Sequence, residues 1–246
     1  MKSWMLAVLL ATVSTPAAAL GNLAQIEVLD RGSNRALPVH YAGGRYYVAG
    51  KPGCNYAIRV RNRAGEDLLA VVSVDGVNVV TGETASLEQG GYIFGPGQLF
   101  DIKGWRKSLE HVAQFYFSRV DDSYAMRTGR PENVGVIGIA LFKRKSEPPL
   151  VNEYRQREEA PADAARSAPE SAAAKATEQA IGTGHGRRET SAVRYAQFER
   201  ASDVPAETIT LFYDSYDNLV ARGVIPAARK VPQPFPGGYV PDPPRS

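Results

Sequence analysis

Residues 68–83 read LLAVVSVDGVNVVTGE. Val71, Val72 and Val74 lead into Asp75-Gly76, and Val77, Val79 and Val80 lead out. β-Branched side chains suit a pleated, half-buried surface. Asp-Gly between two such runs is a strong hairpin signal, because both central residues of a type I′ turn need φ > 0. The stretch predicts the central hairpin of a β domain. Asp75, Asn78 and Glu83 offer oxygen ligands for Ca²⁺, but they are also the residues a tight turn demands. The turn role is the simpler one, and no metal site is assigned.

Shorter strands are expected on both sides of the hairpin. Before it lie 25–29, 37–41 and 45–49, separated by Asp30–Asn34 and Gly43-Gly44, and then 55–62. In the last of these, Tyr56, Ile58 and Val60 alternate with Arg59 and Arg61, the pattern of a half-buried strand. After it, Tyr92–Phe94 and Leu99–Ile102 flank Gly95-Pro96-Gly97. Residues 111–120 fit a strand or a helix, and the aromatic density of QFYF favours the strand. Residues 134–142, VGVIGIALF, are continuously apolar and predict a strand buried on both faces. Many short strands between glycine-rich turns point to an antiparallel β-sandwich or jelly-roll-like domain over 23–145.

The composition then changes. Residues 146–180 are rich in Ala, Pro and Glu, with almost no large apolar residue after Tyr154, and predict a disordered linker. Residues 181–226 predict a small β-β-α block, with strands at 193–198 and 207–213 and a short helix capped by Asp214 or Ser215 and ended by Gly223. One long helix from Pro205 is the alternative. The block is too small for a generous core, so it is expected to dock on the sandwich or on a partner. Residues 227–246 hold six prolines and predict an extended tail, with Phe235 and Tyr239 as its anchors.

Lys2, the apolar run 4–13, Pro16 and Ala17-Ala18-Ala19 have the order of a secretory signal peptide over 1–19, with Leu20 as the first mature residue. No later run is apolar and long enough to be a transmembrane helix, so the mature chain is expected in the periplasm or outside the cell. The net charge of +3 is interspersed along the chain, so no nucleic-acid partner is expected. Cys54 is the single cysteine, which excludes an intramolecular disulfide. It reads as a small buried residue in a strand, or as a link between chains.

His185 is the first candidate for chemistry, as a general acid/base or metal ligand with Glu189, Asp214 or Asp217 as partner. A turn histidine satisfies the same pattern, since no second ligand stands at a metal-binding spacing. His40 and His111 are isolated. Gly182-x-Gly184-x-Gly186 matches neither the dinucleotide fingerprint nor the Walker pattern. Trp105 and Arg106, near Tyr92 and Phe94, offer a cation–π binding patch or a core-edge Trp with an Arg over it.

The segments SVDGVNVVTGE, GYIFGP, IKGWRKS, DSYAMRTGRPENVGVIGIALF, GTGHGRRE and LFYDSYDNLVARGVI together resemble a family of uncharacterised exported proteins of Gram-negative bacteria. The resemblance covers about 45–142 and 181–225. It implies export and a two-block organisation and carries over no cofactor and no site residue. The expected function is therefore that of an exported, non-enzymatic binding or assembly protein of the cell envelope, with envelope proteins or surface components as partners. The alternative is a hydrolase or metal-dependent enzyme built around His185 and Asp214.

Overall fold

The computed structural model describes residues 20–146 and 180–227. The expected leader, the body of the expected linker and the proline-rich tail lie outside the described residues. In chain order the strands are β1 (Ala24–Asp30), β2 (Arg35–Ala36), β3 (Val39–Ala42), β4 (Arg45–Gly50), β5 (Asn55–Asn62), β6 (Leu68–Val74), β7 (Val77–Asn78), β8 (Tyr92–Phe94), β9 (Leu99–Ile102), β10 (Gly104–Arg106) and β11 (His111–Arg119). A helical turn, α1 (Tyr124–Arg127), leads to β12 (Val136–Lys143). β13 (Ile181–Thr190), β14 (Glu207–Ser215) and the helix α2 (Tyr216–Ala221) complete the order. Among the described residues no helix is long and apolar enough to cross a membrane.

The strands form two seven-stranded sheets packed face to face, a β-sandwich. One runs β10-β11-β5-β1-β2, with β13 paired to β11 and β9 to β5. The other runs β3-β4-β14-β12-β6-β7, with β8 paired to β6. All pairings are antiparallel except β4–β14, which is parallel. Alternation decides which side chains enter the core. Tyr56, Ile58 and Val60 from β5 meet Val72, Val74, Ile137, Ile139 and Leu141 from the opposite sheet in one cluster.

The Asp75-Gly76 turn forms as its sequence requires, with φ of 53° and 73°. The second arm of the hairpin is shorter than the valine run suggests. Val79 is buried and its N–H still bonds Val72 O, at 3.0 Å. The Asn78 side chain, however, accepts from the N–H groups of Val80 and Thr81 and turns the chain away from β6. β12 lies in its sheet between β6 and β14, and it is covered on both faces because one face meets the central core and the other is covered by Phe198. Ile137, Ile139 and Leu141 face the central core, while Ala140 and Phe142 join Leu69 and Val71 on the outer face.

The β-β-α order of the C-terminal segment is present, but its first strand is Ile181–Thr190 rather than 193–198. Residues 191–193 instead bond the Leu109-Glu110 turn of the first sheet, and the chain then reaches the outer face of the second sheet at Phe198 and Arg200. Phe198 packs there, with the Arg144 guanidinium 4.6 Å from its ring centroid, and Arg200 lies 4.0 Å over Phe142. Tyr195, in the middle of the expected strand, is 88% exposed and has no facing strand to pair with. Contact with the sandwich is made by insertion. β13 joins the first sheet, and β14 enters the second between β12 and β4. The strand-then-helix reading, rather than one long helix from Pro205, holds over 207–221. Ser215 caps α2 by accepting from Asn218 N–H, and Gly223, at φ 71°, follows its end.

Candidate functional site

β13 has the sequence IGTGHGRRET. Ile181 and Thr183 face the core, so Gly182 and Gly184 lie on the outer side. The Tyr116 ring of β11 lies against Gly184. A Cβ there would stand 2.1 Å from the ring, so glycine is what lets the two strands carry that tyrosine. The glycine run thus serves packing. β13 then departs from simple alternation. Phe115 pairs with His185 and Ala113 with Arg188, leaving one extra residue on β13, a β-bulge. His185 and Glu189, four residues apart, would share a face in a regular strand. The bulge sends His185 to the core side with Phe115 and Glu189 to the outer side with Gln114.

Thr183 stands at the middle of a buried chain of polar groups. Its hydroxyl lies 2.7 Å from Tyr56 Oη and 2.7 Å from Tyr213 Oη. Tyr213 donates to Asp75 Oδ1. The same carboxylate accepts from Thr183 N–H at 2.8 Å and Gly135 N–H at 2.9 Å. An ionised carboxylate only accepts, so the hydroxyls point in one direction: Tyr56 donates to Thr183, Thr183 to Tyr213, and Tyr213 to Asp75. All four residues are buried. Burial pushes the Asp75 carboxyl up to about 6, against the opposing effect of its Tyr213, Thr183 and Gly135 donors. The group therefore remains mostly ionised at neutral pH. It ties the β6–β7 turn to β13 and β14 and so joins the two sheets.

His185 is half-buried at the rim of the sandwich. Its ring centroid lies 5.5 Å from that of Tyr124, which in turn lies 4.8 Å from that of Trp105. Burial, followed by the charges of Lys107 and Arg127, holds its imidazole below the ordinary range. Glu189, on the outer face, is gripped by Arg31 at 2.6 and 2.8 Å, by Gln114 Nε2 at 2.7 Å and by Lys103 at 3.4 Å. Burial alone would raise its carboxyl. The hydrogen bonds from Arg31 and Gln114, with the charges of Arg31 and Lys103, outweigh this and hold it below the usual carboxylate range.

Asp214 follows core-facing Tyr213 on β14 and so points to the outer face of the second sheet. It is buried and accepts from Ser215 N–H at the start of α2, from Asn218 Nδ2 within the helix and from Arg222 at its end. Asp217 lies in the first turn of that helix. The second sheet thus stands between Asp214 and His185. The three candidates His185, Glu189 and Asp214 occupy three separate surfaces, and among the described residues no hydrogen bond or ion pair joins any two of them.

Trp105 is buried, donates Nε1–H to Gly184 O at 3.2 Å and meets Phe115 edge-on at 5.1 Å. Arg106 does not stack on it. The guanidinium lies 5.5 Å over the Tyr92 ring, bonds Tyr92 Oη and donates to Ser191 O. This pins the start of the 191–206 segment. Asn78 organises its loop through Gln89 and Gly90, and Glu83 is exposed. Among the described residues no three His, Cys, Asp or Glu side chains gather into a metal-binding group. Cys54 is a half-buried free thiol in the turn before β5 rather than within a strand. A shallow cleft of about 420 Å³ opens beside Lys103, Thr190 and Ser191, and none of the candidate residues lines it.

Sequence reading missed Tyr56, Thr183 and Tyr213 as a polar unit and took Asp75 as turn chemistry alone. It also missed Lys107, Tyr124 and Arg127 around His185. These residues come from distant segments, and only the strand pairing brings them together. No family model matches the chain, and no curated protein or solved structure is significantly similar to it.

Proposed function

We propose that the protein is an exported, non-enzymatic binding or assembly component of the cell envelope, and that the rim around His185 is its binding surface. One observation carries this reading. Lys107, Arg127 and the Tyr124 ring surround a half-buried imidazole whose charged neighbours are cations. Such a rim favours an acidic partner over proton transfer, because among the described residues no carboxylate bonds the imidazole to orient it or to stabilise its charged form. Export is supported by the leader pattern over 1–19. Leu20, the residue after it, is seated in the core and paired with Ile26.

The test is co-sedimentation of purified mature protein with a washed envelope fraction. The wild type is compared with Lys107→Glu/Arg127→Glu, and circular dichroism checks that both are folded. Both side chains are exposed, so the double variant should keep its fold. Binding should fall at least fivefold in the variant. Equal binding by the two proteins would remove the rim from the account. N-terminal sequencing of the exported protein should begin at Leu20.

A further inference from the structure

We propose that the rim around His185 binds phosphate groups. The inference rests on the binding reading above and names the chemistry of the ligand.

Three neighbouring strands and one helical turn build the rim. Trp105 on β10 and Arg188 on β13 both pair with Ala113 of β11, so the three side chains stand in a row on one face. Lys107 lies two residues beyond Trp105, just past the end of β10, where its N–H bonds His111 O at 2.9 Å. Tyr124 and Arg127 stand one helical turn apart on α1, on neighbouring positions of its surface. Tyr124 packs between Trp105 and His185, and Arg130 lies 5.9 Å over its ring. Lys107, Arg127 and Arg188 are exposed, and none of them forms an ion pair among the described residues. Of the acidic residues close in sequence, Asp121 lies 3.9 Å from Arg119, while Glu110 and Asp122 are exposed.

The choice of phosphate follows from the donors. Guanidinium groups present planar forks that match two oxygens of a phosphate, and a lysine adds a point charge. Several cations around one aromatic floor suit the charged oxygens of a phosphate better than a single carboxylate. The aromatic floor is held in place by the Trp105–Gly184 hydrogen bond and so is formed before any ligand arrives. His185 reports on occupancy. An anion between Lys107 and Arg127 offsets the charges that depress its imidazole, so its titration midpoint must rise on binding.

The experiment is a ¹H–¹⁵N NMR titration of the His185 ring in the full mature chain. Its arms are inorganic pyrophosphate, acetate, vesicles of phosphatidylglycerol, and vesicles of phosphatidylcholine. Pyrophosphate should shift the ring signals and raise the His185 midpoint, while acetate at equal concentration leaves both unchanged. Lys107→Ala/Arg127→Ala should weaken the response at least tenfold, and Arg188→Gln at least threefold. A response to phosphatidylglycerol vesicles without one to pyrophosphate would also support the inference, with the phosphate carried on a lipid. No response in either arm, an equal response to acetate, or an unchanged response in both variants would overturn it. If envelope binding still depends on Lys107 and Arg127 after such a failure, the rim binds a partner without phosphate. If that dependence is also absent, the binding reading itself falls.

Discussion

Tyr213 donates its phenolic proton to the Asp75 carboxylate between the two sheets, where neither group meets water. A hydrogen bond to a buried charge contributes about 1.5–3 kcal/mol. Tyr213→Phe should therefore lower the unfolding free energy by about 2 kcal/mol in urea titrations. Tyr56→Phe, at the far end of the chain, should cost about 1 kcal/mol. Asp75→Ala should exceed both, because it leaves the Thr183 and Gly135 N–H groups without an acceptor. A Tyr213→Phe effect below half a kilocalorie would mean that the phenol is not a significant partner of the carboxylate.

The same carboxyl sets a pH dependence. Its folded pKa, about 6, lies above the ordinary carboxyl value of 3.8. A raised acid binds its proton more tightly in the folded state. Its contribution is therefore full below pH 3.8 and is lost as pH rises through 6. The difference of about two pH units corresponds to about 3 kcal/mol. Subtracting the stability profile of Asp75→Ala from that of the wild type, between pH 4 and 7.5, should give a difference that shrinks as pH rises. A flat difference would show that the carboxyl titrates normally.

Gly184→Ala should destabilise the protein by about 1–3 kcal/mol, since the new methyl would overlap the Tyr116 ring. Removing that ring should relieve the overlap. Tyr116→Ala/Gly184→Ala should then cost clearly less than the sum of the two single variants, a coupling readable from a double-mutant cycle. Additive costs would mean that the strand accommodates the methyl in another way.

Glu189→Gln should cost about 1 kcal/mol at pH 7, reflecting the loss of a paired charge near the surface. The native pKa is depressed, so this contribution is present above the unfolded pKa and disappears as pH falls through the folded one. The two proteins should thus converge in acid. His185 should show no change in its NMR titration in this variant, because the bulge places the two side chains on opposite faces.

Much of the fold was legible because local chemistry and global structure agree there. Asp75-Gly76 forms the expected turn, the alternation of 55–62 matches β5, the apolar run around Ile139 lies between two strands, and Ser215 and Gly223 bracket α2. β13 was not legible because three glycines replace the outward side chains that alternation needs. Their reasons, Ser123 and Val134 at Gly182, the Tyr116 ring at Gly184 and Gln114 at Gly186, lie on other segments. The rim of His185 was hidden for a related cause. One extra residue in a strand reverses which side chains meet, and single-chain spacing does not reveal it. Asp75 looked like turn chemistry because it is a turn residue. Its burial follows only from where β14 and β13 run.

The position of β14 has a consequence in time. It pairs Leu211 with Tyr46 in parallel register while also pairing with β12, so the second sheet remains in two parts until nearly the whole chain is available. Pairings of such long sequence separation form slowly. A chain threaded through a membrane from its N-terminus therefore has no finished barrier to further threading until its last strand arrives. If the chain is exported as proposed, the fold closes only on the far side, and a chain truncated before β14 should be left for proteases.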